Sequence, residues 1–486
     1  MSQAIINLLP VFIPLILSIL IKITWSVQAL RYPILILGPL ITLLSIYKIQ
    51  LNPDFLNSSI DILNIFPNIG ISVGLEPISF VFIIMVNSLW LIATLYSYGY
   101  MLINKEQRLG NFFFFFAIAI GCANGAALSS NLLTLFIFYE LLTISTYPLV
   151  THKGDEQSKR SGRKYLLILL GTSLCFFLPA MIYVYFLSGN LDFVSGGLLA
   201  TSLSGFEVNN LAVSILLFLF IFGISKAAVM PFHSWLPAAM VAPTPVSALL
   251  HAVAVVKVGV FSIIKVLVYI FGLELLQGLF SVDLMIYICG FTIITTSIIA
   301  LQQDNLKRLL AYSTISQLSY VVITILILTP AAVIAASMHL VAHAVSKITL
   351  FFAAGAIYSS TGYTKISEMD GLGKKLRIVS VAFALGAMSL MGIPFLVGFT
   401  SKWYIVQSSV EVNQWFILFI ITTSTLLNIG YFTPIIYKLF FKSQMKEIPF
   451  KKLPLDINLS IIVCCVLMLI LFLQPNLVIE VISNAK

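Results

Sequence analysis

Apolar stretches long enough to cross a bilayer recur fourteen times in this chain of 486 residues, and that recurrence leaves few folds open to it. They run approximately over 4–21, 32–47, 75–101, 111–129, 131–151, 165–187, 211–230, 246–270, 284–301, 308–328, 331–358, 378–407, 414–437 and 457–480. A helix needs about 20 apolar residues to span the hydrocarbon. Lipid offers no hydrogen bonds, so a spanning segment must satisfy its backbone internally, as a helix does. The expected fold is an all-α integral membrane protein with about 14 transmembrane helices. Composition agrees, with 60% hydrophobic and 9% charged residues against about 25% charged in soluble domains. The longest polar connections, 48–72, 188–210 and 359–377, are loop-sized, so residues 1–486 read as a single polytopic membrane domain. The first stretch lacks a basic leader and a small-residue cleavage site and reads as an uncleaved span.

Lysine and arginine set the orientation. With the N-terminus outside, the inner loops hold 20 basic residues and the outer loops only Lys48 and Lys486. Basic residues concentrate in cytoplasmic loops, so both termini are expected outside, on the periplasmic face of a bacterial inner membrane. The net charge of +9 is spread over short loops, with no arginine-rich stripe interleaved with aromatics, which argues against nucleic acid as a partner. Cys122, Cys175, Cys289, Cys464 and Cys465 lie in apolar runs without C-x-x-C spacing and read as small packing residues, so no iron–sulfur or zinc centre is expected.

Five lysines fall inside the apolar stretches: Lys226, Lys257, Lys265, Lys347 and Lys402. Glu140, His339 and His343 lie there too. A charge at the bilayer centre costs about 2.5–3.5 kcal/mol on insertion scales, and such residues generally mark ion or proton paths. Proline and glycine interrupt two spans beside two of these lysines. Span seven reads Gly223-Ile-Ser-Lys226 through Pro231 to Pro237, and span twelve reads Gly392-Ile-Pro394 through Gly398 to Lys402. Proline removes a backbone donor, and interrupted helices in corresponding halves point to repeats around a transport site. Two inverted five-helix repeats are expected, over 110–270 and 284–440, flanked by helices in 1–103 and 457–486.

Glu140, mid-span, reads as a carboxylate that modulates the proton affinity of Lys226, the alternative being a protonated acid bonded within the bundle. His251 and Lys257, six residues apart, lie about 9 Å apart along a helix axis, within reach of a bridging water. Lys265, eight residues further, could equally snorkel to the outer interface. His339, His343 and Lys347 share one helical stripe suited to a proton relay. Zinc at the two histidines lacks a third ligand in the pattern. Lys402 would close the line. His233 and Trp235 read as shaping a turn, His152 as part of a solvated basic loop, and Phe112–Phe116 as lipid-facing or core.

Lys226…Pro231-Phe-His-x-Trp-Leu-Pro237…Ala242-Pro-x-Pro-Val-Ser-Ala-Leu-Leu-His251 resembles the proton-conducting antiporter-like membrane subunits of respiratory complex I and of Mrp-type multisubunit Na+/H+ antiporters. Asp304-x-Leu-Lys-Arg-Leu-Leu-Ala-Tyr-Ser-Thr-Ile-Ser-Gln-Leu318, His339-x-x-x-His343-x-x-x-Lys347 and Gly398-Phe-x-Ser-Lys402 extend the resemblance over nearly the whole chain. It implies a fourteen-helix fold with inverted five-helix repeats. It also implies Glu140 and Lys226 as a coupled pair, His251 with Lys257 or Lys347 as a central relay, and Lys402 as the outlet. Among the N, M and L types of complex I subunits, the M-type typically carries Glu where Lys402 stands. Ser424-Thr-Leu-Leu-Asn-Ile-Gly-Tyr431-Phe-Thr-Pro-Ile looks more like the Mrp D-type than the complex I N-type. The expected role is proton transport against Na+ or another monovalent cation beside other membrane subunits. The alternatives are an N-like subunit whose proton path NADH oxidation elsewhere in a complex drives, and a purely structural subunit without transport. No cofactor is expected in the chain, so it performs no redox step itself.

Overall fold

A computed structural model describes residues 3–50, 59–66, 69–202, 209–249, 253–443 and 450–483. The order is α1 Gln3–Thr24, α2 Gln28–Gln50, a hairpin of β1 Ser59–Phe66 and β2 Ile69–Gly74, then α3 Pro77–Ile103, α4 Leu109–Ala127 and α5 Leu132–Val150. Next come α6 Glu156–Thr172, continued through a π turn into α7 Leu178–Ser188, then α8 Leu198–Ser202, α9 Asn210–Gly223, α10 Trp235–Ala238, α11 Thr244–Ala248, α12 Val255–Val266 and α13 Leu273–Leu276. The second half holds α14 Phe280–Leu301, α15 Leu306–Ile325, α16 Pro330–Thr361, α17 Arg377–Met391, α18 Val397–Glu411, α19 Trp415–Phe441, α20 Leu455–Leu473 and α21 Asn476–Ser483.

Most of the described residues in each apolar stretch are helical. Ten described spans are long and apolar enough to cross a membrane, and two shorter apolar helices, α9 and α17, accompany them. Helix starts follow local chemistry. Asn131, Asp155, Asn209, Asn305 and Thr329 each accept a first-turn backbone N–H through the side chain, satisfying donors that helical geometry leaves unpaired. Pro77 and Pro330 sit at first helical positions, where no N–H is needed.

The polar connection before α3 contains strand as well as loop. Ser59-Ile-Asp-Ile and Ile69-Gly-Ile-Ser-Val pair antiparallel, Ile60 opposite Val73. β-Branched residues alternating with polar ones favour this geometry.

Both interruptions read from proline and glycine are present. α9 ends at Gly223, Ser225–Ala227 forms a 3-10 turn, and Ala228 takes a left-handed conformation. The Trp235 indole N–H donates to the Ser225 carbonyl at 3.1 Å, so the turn-shaping role expected of Trp235 is met by a specific bond. α17 ends at Met391, and α18 restarts after Pro394. There the Gly398 N–H donates to the Ser389 hydroxyl at 3.1 Å. Within span eight α11 ends at Ala248 and α12 begins at Val255, and His251 lies outside the described residues.

α16 is the axis of the molecule. Its apolar window is wholly buried, and it packs against α3, α11, α15, α17, α18 and α20. α1 and α2 lie at the periphery and present Ile16, Ile19, Leu37 and Leu44 outward, as lipid-facing helices do.

Two glycines permit the close approaches on which the breaks depend. A Cβ on Gly259 would overlap the backbone of Lys226 and Ala227, and one on Gly398 would overlap the Ser389 carbonyl. A Cβ on Gly171 meets nothing. Overpacking a filled site costs about 1–3 kcal/mol. Gly259→Ala and Gly398→Ala should therefore each lower the thermal unfolding temperature of the purified complex, while Gly171→Ala leaves it unchanged. Equal melting of all three by differential scanning fluorimetry would refute this packing account.

Candidate functional site

The lysines and histidines of the apolar stretches that are described lie buried inside the bundle. Lys226, Lys257 and Lys347 are fully buried and Lys402 is 7% exposed. At one end, the Lys226 ammonium donates to the Tyr139 carbonyl at 2.8 Å and the Thr143 hydroxyl at 2.6 Å, and lies 3.0 Å above the Tyr139 ring centre. The Tyr139 hydroxyl in turn accepts the Lys226 backbone N–H at 3.2 Å. Glu140 follows Tyr139 on α5, and the Lys226 charge acts on its carboxylate. The expected pair is thus electrostatically in contact, but it is not an ion pair within 4.0 Å among the described residues. Both Glu140 oxygens are buried and accept no hydrogen bond there.

At the centre, the Lys257 ammonium meets His343 Nδ1 at 2.5 Å, joining α12 to α16. Lys347, one turn along α16, donates to the Leu310 carbonyl of α15 at 3.1 Å. The central relay expected of His251 with Lys257 or Lys347 turns on a histidine outside the described residues; the contact present is between Lys257 and His343. Towards the other end, the His339 and His343 rings lie nearly parallel, 6.3 Å apart. His339 Nδ1 is 3.0 Å from the Ser401 hydroxyl and stacks on Tyr320 at 5.3 Å. The opposite side of that stack reaches the second break, where the Lys402 ammonium lies 5.7 Å from the Tyr320 ring centre. Lys402 donates to the Thr425 hydroxyl at 2.8 Å and to the Met391 carbonyl, freed where α17 ends, at 3.3 Å. Contacts thus link Lys257, His343, His339, Tyr320 and Lys402, while Lys226 with Tyr139 and Thr143 lies at the first broken helix; Pro231 and Pro237 follow that break, and Pro394 and Gly398 lie at the second. The His339 Nε2 and the Gln317 side-chain amide are buried without a hydrogen-bonding partner among the described residues.

Tyr139, Thr143, Tyr320, Ser401 and Thr425 do not stand out in the sequence, because hydroxyl-bearing residues are common in spanning helices. The available signal is position: Thr143 lies three residues from Glu140, and Ser401 adjoins Lys402. One sequence expectation is corrected, and one left open is decided. His152 is buried, not solvated: its ring packs edge-on against Phe112 at 5.7 Å, and its carbonyl accepts Arg108 at 2.6 Å. Lys265 does not snorkel; it ion-pairs with Glu76 at 2.9 Å. Phe112, Phe113 and Phe116 are core. No cluster of three or more His, Cys, Asp or Glu suited to a metal occurs among the described residues.

On the basic face a cavity of about 600 Å³ opens beside α11 and α15, lined by Glu106, Lys153, Asp155, Lys164, Lys307 and Arg308 among others. Lys307 donates to the Ala242 carbonyl at 2.5 Å at its inner wall. Burial pushes the Glu106 carboxyl above the usual range, against the opposing pull of Lys153 and Lys307.

The model of the NADH:quinone oxidoreductase/Mrp antiporter transmembrane family matches residues 129–428. The chain belongs to that family. It is 30% identical over 381 residues to the NADH-quinone oxidoreductase N-type subunit of Desulforudis audaxviator, covering 77% of this chain and 74% of the relative. It is 30% identical to the Na(+)/H(+) antiporter D-type subunit of Alkalihalophilus pseudofirmus, covering 64% of this chain and 62% of that one. It spans about a third of the probable K(+)/H(+) antiporter A/B-type subunit of Rhizobium meliloti, at 31% identity over 71% of this chain and 34% of that relative. Its fold resembles a chain of the Mrp complex from Dietzia, with TM-score 0.87, 19% identity and coverage of 100% and 97%. A chain of the archaeal membrane-bound sulfane sulfur reductase matches with TM-score 0.84, 23% identity and the same coverage. Lys257 and His343 are in direct contact, and we propose that they share one proton, so their losses should not multiply. Lys257→Met and His343→Leu should each slow proton transport about 100-fold, the lower end of what a lost proton-transfer group costs, and the double variant should be no slower. Multiplying losses in proteoliposome assays would contradict a shared role.

Proposed function

We propose that the chain is the proton-translocating membrane subunit of a multisubunit monovalent cation/H+ antiporter, of the D type. The observation that carries this is the buried row, in which Lys257 touches His343, His343 faces His339, and Tyr320 joins His339 to Lys402. Ionisable groups are costly inside a membrane, and those found there generally mark an ion or proton path.

Protons enter from the basic-face cavity, whose carboxylates and lysines gather them near α11 and α15. Lys226 holds a proton when the Glu140 carboxylate closes on it and releases it when Glu140 withdraws to other partners. The proton passes by way of His251 and water to Lys257, which hands it to His343 Nδ1. An imidazole can take a proton on one nitrogen and release it from the other, so His343 and His339 carry it along α16, with Lys347 setting the local charge. Lys402, at the break between α17 and α18, is the outlet. Residues 110–270 and 284–440 form the two inverted repeats, each contributing one broken helix and its lysine. The exchanged ion is Na+ or another monovalent cation, the partners are further membrane subunits within a lipid bilayer, and the site is the bacterial inner membrane with both termini periplasmic.

A second reading, an N-type subunit of a complex I-like respiratory pump, is favoured by the longer match to the N-type relative than to the D-type one. The same proton path then serves NADH oxidation performed by other subunits. Mass spectrometry of the complex purified through this chain separates the readings. Only small membrane subunits support the antiporter, and flavin- and iron–sulfur-bearing subunits support the pump. In either setting Glu140→Ala and Lys226→Ala should abolish proton movement in inverted vesicles, read with a pH-sensitive dye, while the complex still assembles. Wild-type transport in both variants would leave a purely structural role as the answer.

A further inference from the structure

The row above leaves Lys265 unused. Its ammonium, 1% exposed, sits where two helix ends meet near the outer face. Glu76 is the N-cap of α3, its carboxylate also bonded by the Ser79 hydroxyl at 2.5 Å. α4 ends at Ala127, and its last carbonyls have no helical donor ahead of them. Those carbonyls carry the negative end of the helix dipole. Four oxygens converge on Lys265 Nζ: Glu76 Oε2 at 2.9 Å, the Ala127 carbonyl at 3.2 Å, the Ser129 carbonyl, and the Ser79 hydroxyl at 3.5 Å. The Phe193 ring lies 4.6 Å away on a further side. β2 braces the cage, with Gly74 N–H donating to the Leu128 carbonyl at 2.7 Å and Ser130 N–H to the Ser72 carbonyl at 3.1 Å.

One carboxylate, one hydroxyl and two carbonyls are the ligand set that replaces the water shell of a monovalent cation. We propose that the Glu76–Ser79–Ala127–Ser129 cage is a monovalent-cation site whose resident cation is the Lys265 ammonium, tethered through α12. The tether makes occupancy permanent, so the junction of α3, α4 and α12 holds without a free ion. It also fixes α12, which carries Lys257 eight residues earlier. Lys265 is thus a positioning residue. The cage makes no contact with the proton row among the described residues, and cation binding there is read apart from transport.

Truncating the tethered cation should open the cage to free ones. Purified complex carrying Lys265→Met is melted in choline chloride, then in NaCl, KCl or methylammonium chloride at equal ionic strength. Lys265→Met should melt below wild type in choline and rise by a few degrees, saturably, with at least one small cation. Wild type and the neutral pair Glu76→Gln/Lys265→Met should show no such rise. A Lys265→Met complex as indifferent to small cations as wild type would overturn the proposal. If Lys265→Met alone fails to accumulate, adding methylammonium during expression should restore it and choline should not. Equal failure in both would overturn the proposal as well.

Discussion

Everything in this molecule follows from the need to give each buried ammonium and imidazole a lone pair to bond in a place where lipid supplies none. An unpaired charge in a low-dielectric interior is expensive, so the fold brings oxygen and nitrogen to each one. The Tyr139 and Met391 carbonyls, the Thr143 and Thr425 hydroxyls and the His343 ring perform that service for Lys226, Lys402 and Lys257. Breaking a helix is the cheapest source of a free carbonyl in a membrane, which explains why Lys402 lies against the end of α17. The breaks and the charges are therefore one design, and the glycines at 259 and 398 let it pack.

The partners found are mostly neutral. Lys226 is cradled by a carbonyl, a hydroxyl and an aromatic face, not by Glu140, and no carboxylate bonds Lys257, Lys347 or Lys402 among the described residues. Lys265 is the contrast, with a carboxylate at 2.9 Å and three further oxygens around its ammonium.

Much of this was legible in the sequence. The spans followed from apolar run length, and the row of lysines and histidines stood out because ionisable groups are rare in such runs. Pro231, Pro394 and the neighbouring glycines announced two breaks. The hydroxyls serving the lysines were silent, because serine and threonine can bond their own helix at no visible cost. His152 was misread because a histidine beside basic loop residues looks solvated, whereas its burial depends on Phe112, forty residues away. The hairpin was hidden by the same logic, since a polar connection shows its β-alternation only once Ser59–Phe66 finds Ile69–Gly74.

Proton transport along the row requires it to be continuous and hydrated. Both Glu140 oxygens, the Gln317 amide and His339 Nε2 are buried there without a hydrogen-bonding partner among the described residues, and buried polar groups of this kind hold ordered water. A cryo-electron microscopy map of the assembled complex at a resolution that shows water tests this most directly. The account predicts ordered water bonded to Glu140, Gln317 and His339 in a file from Lys226 to Lys402. Apolar side chains closed over those atoms, with no water between Lys257 and Lys402, would contradict it.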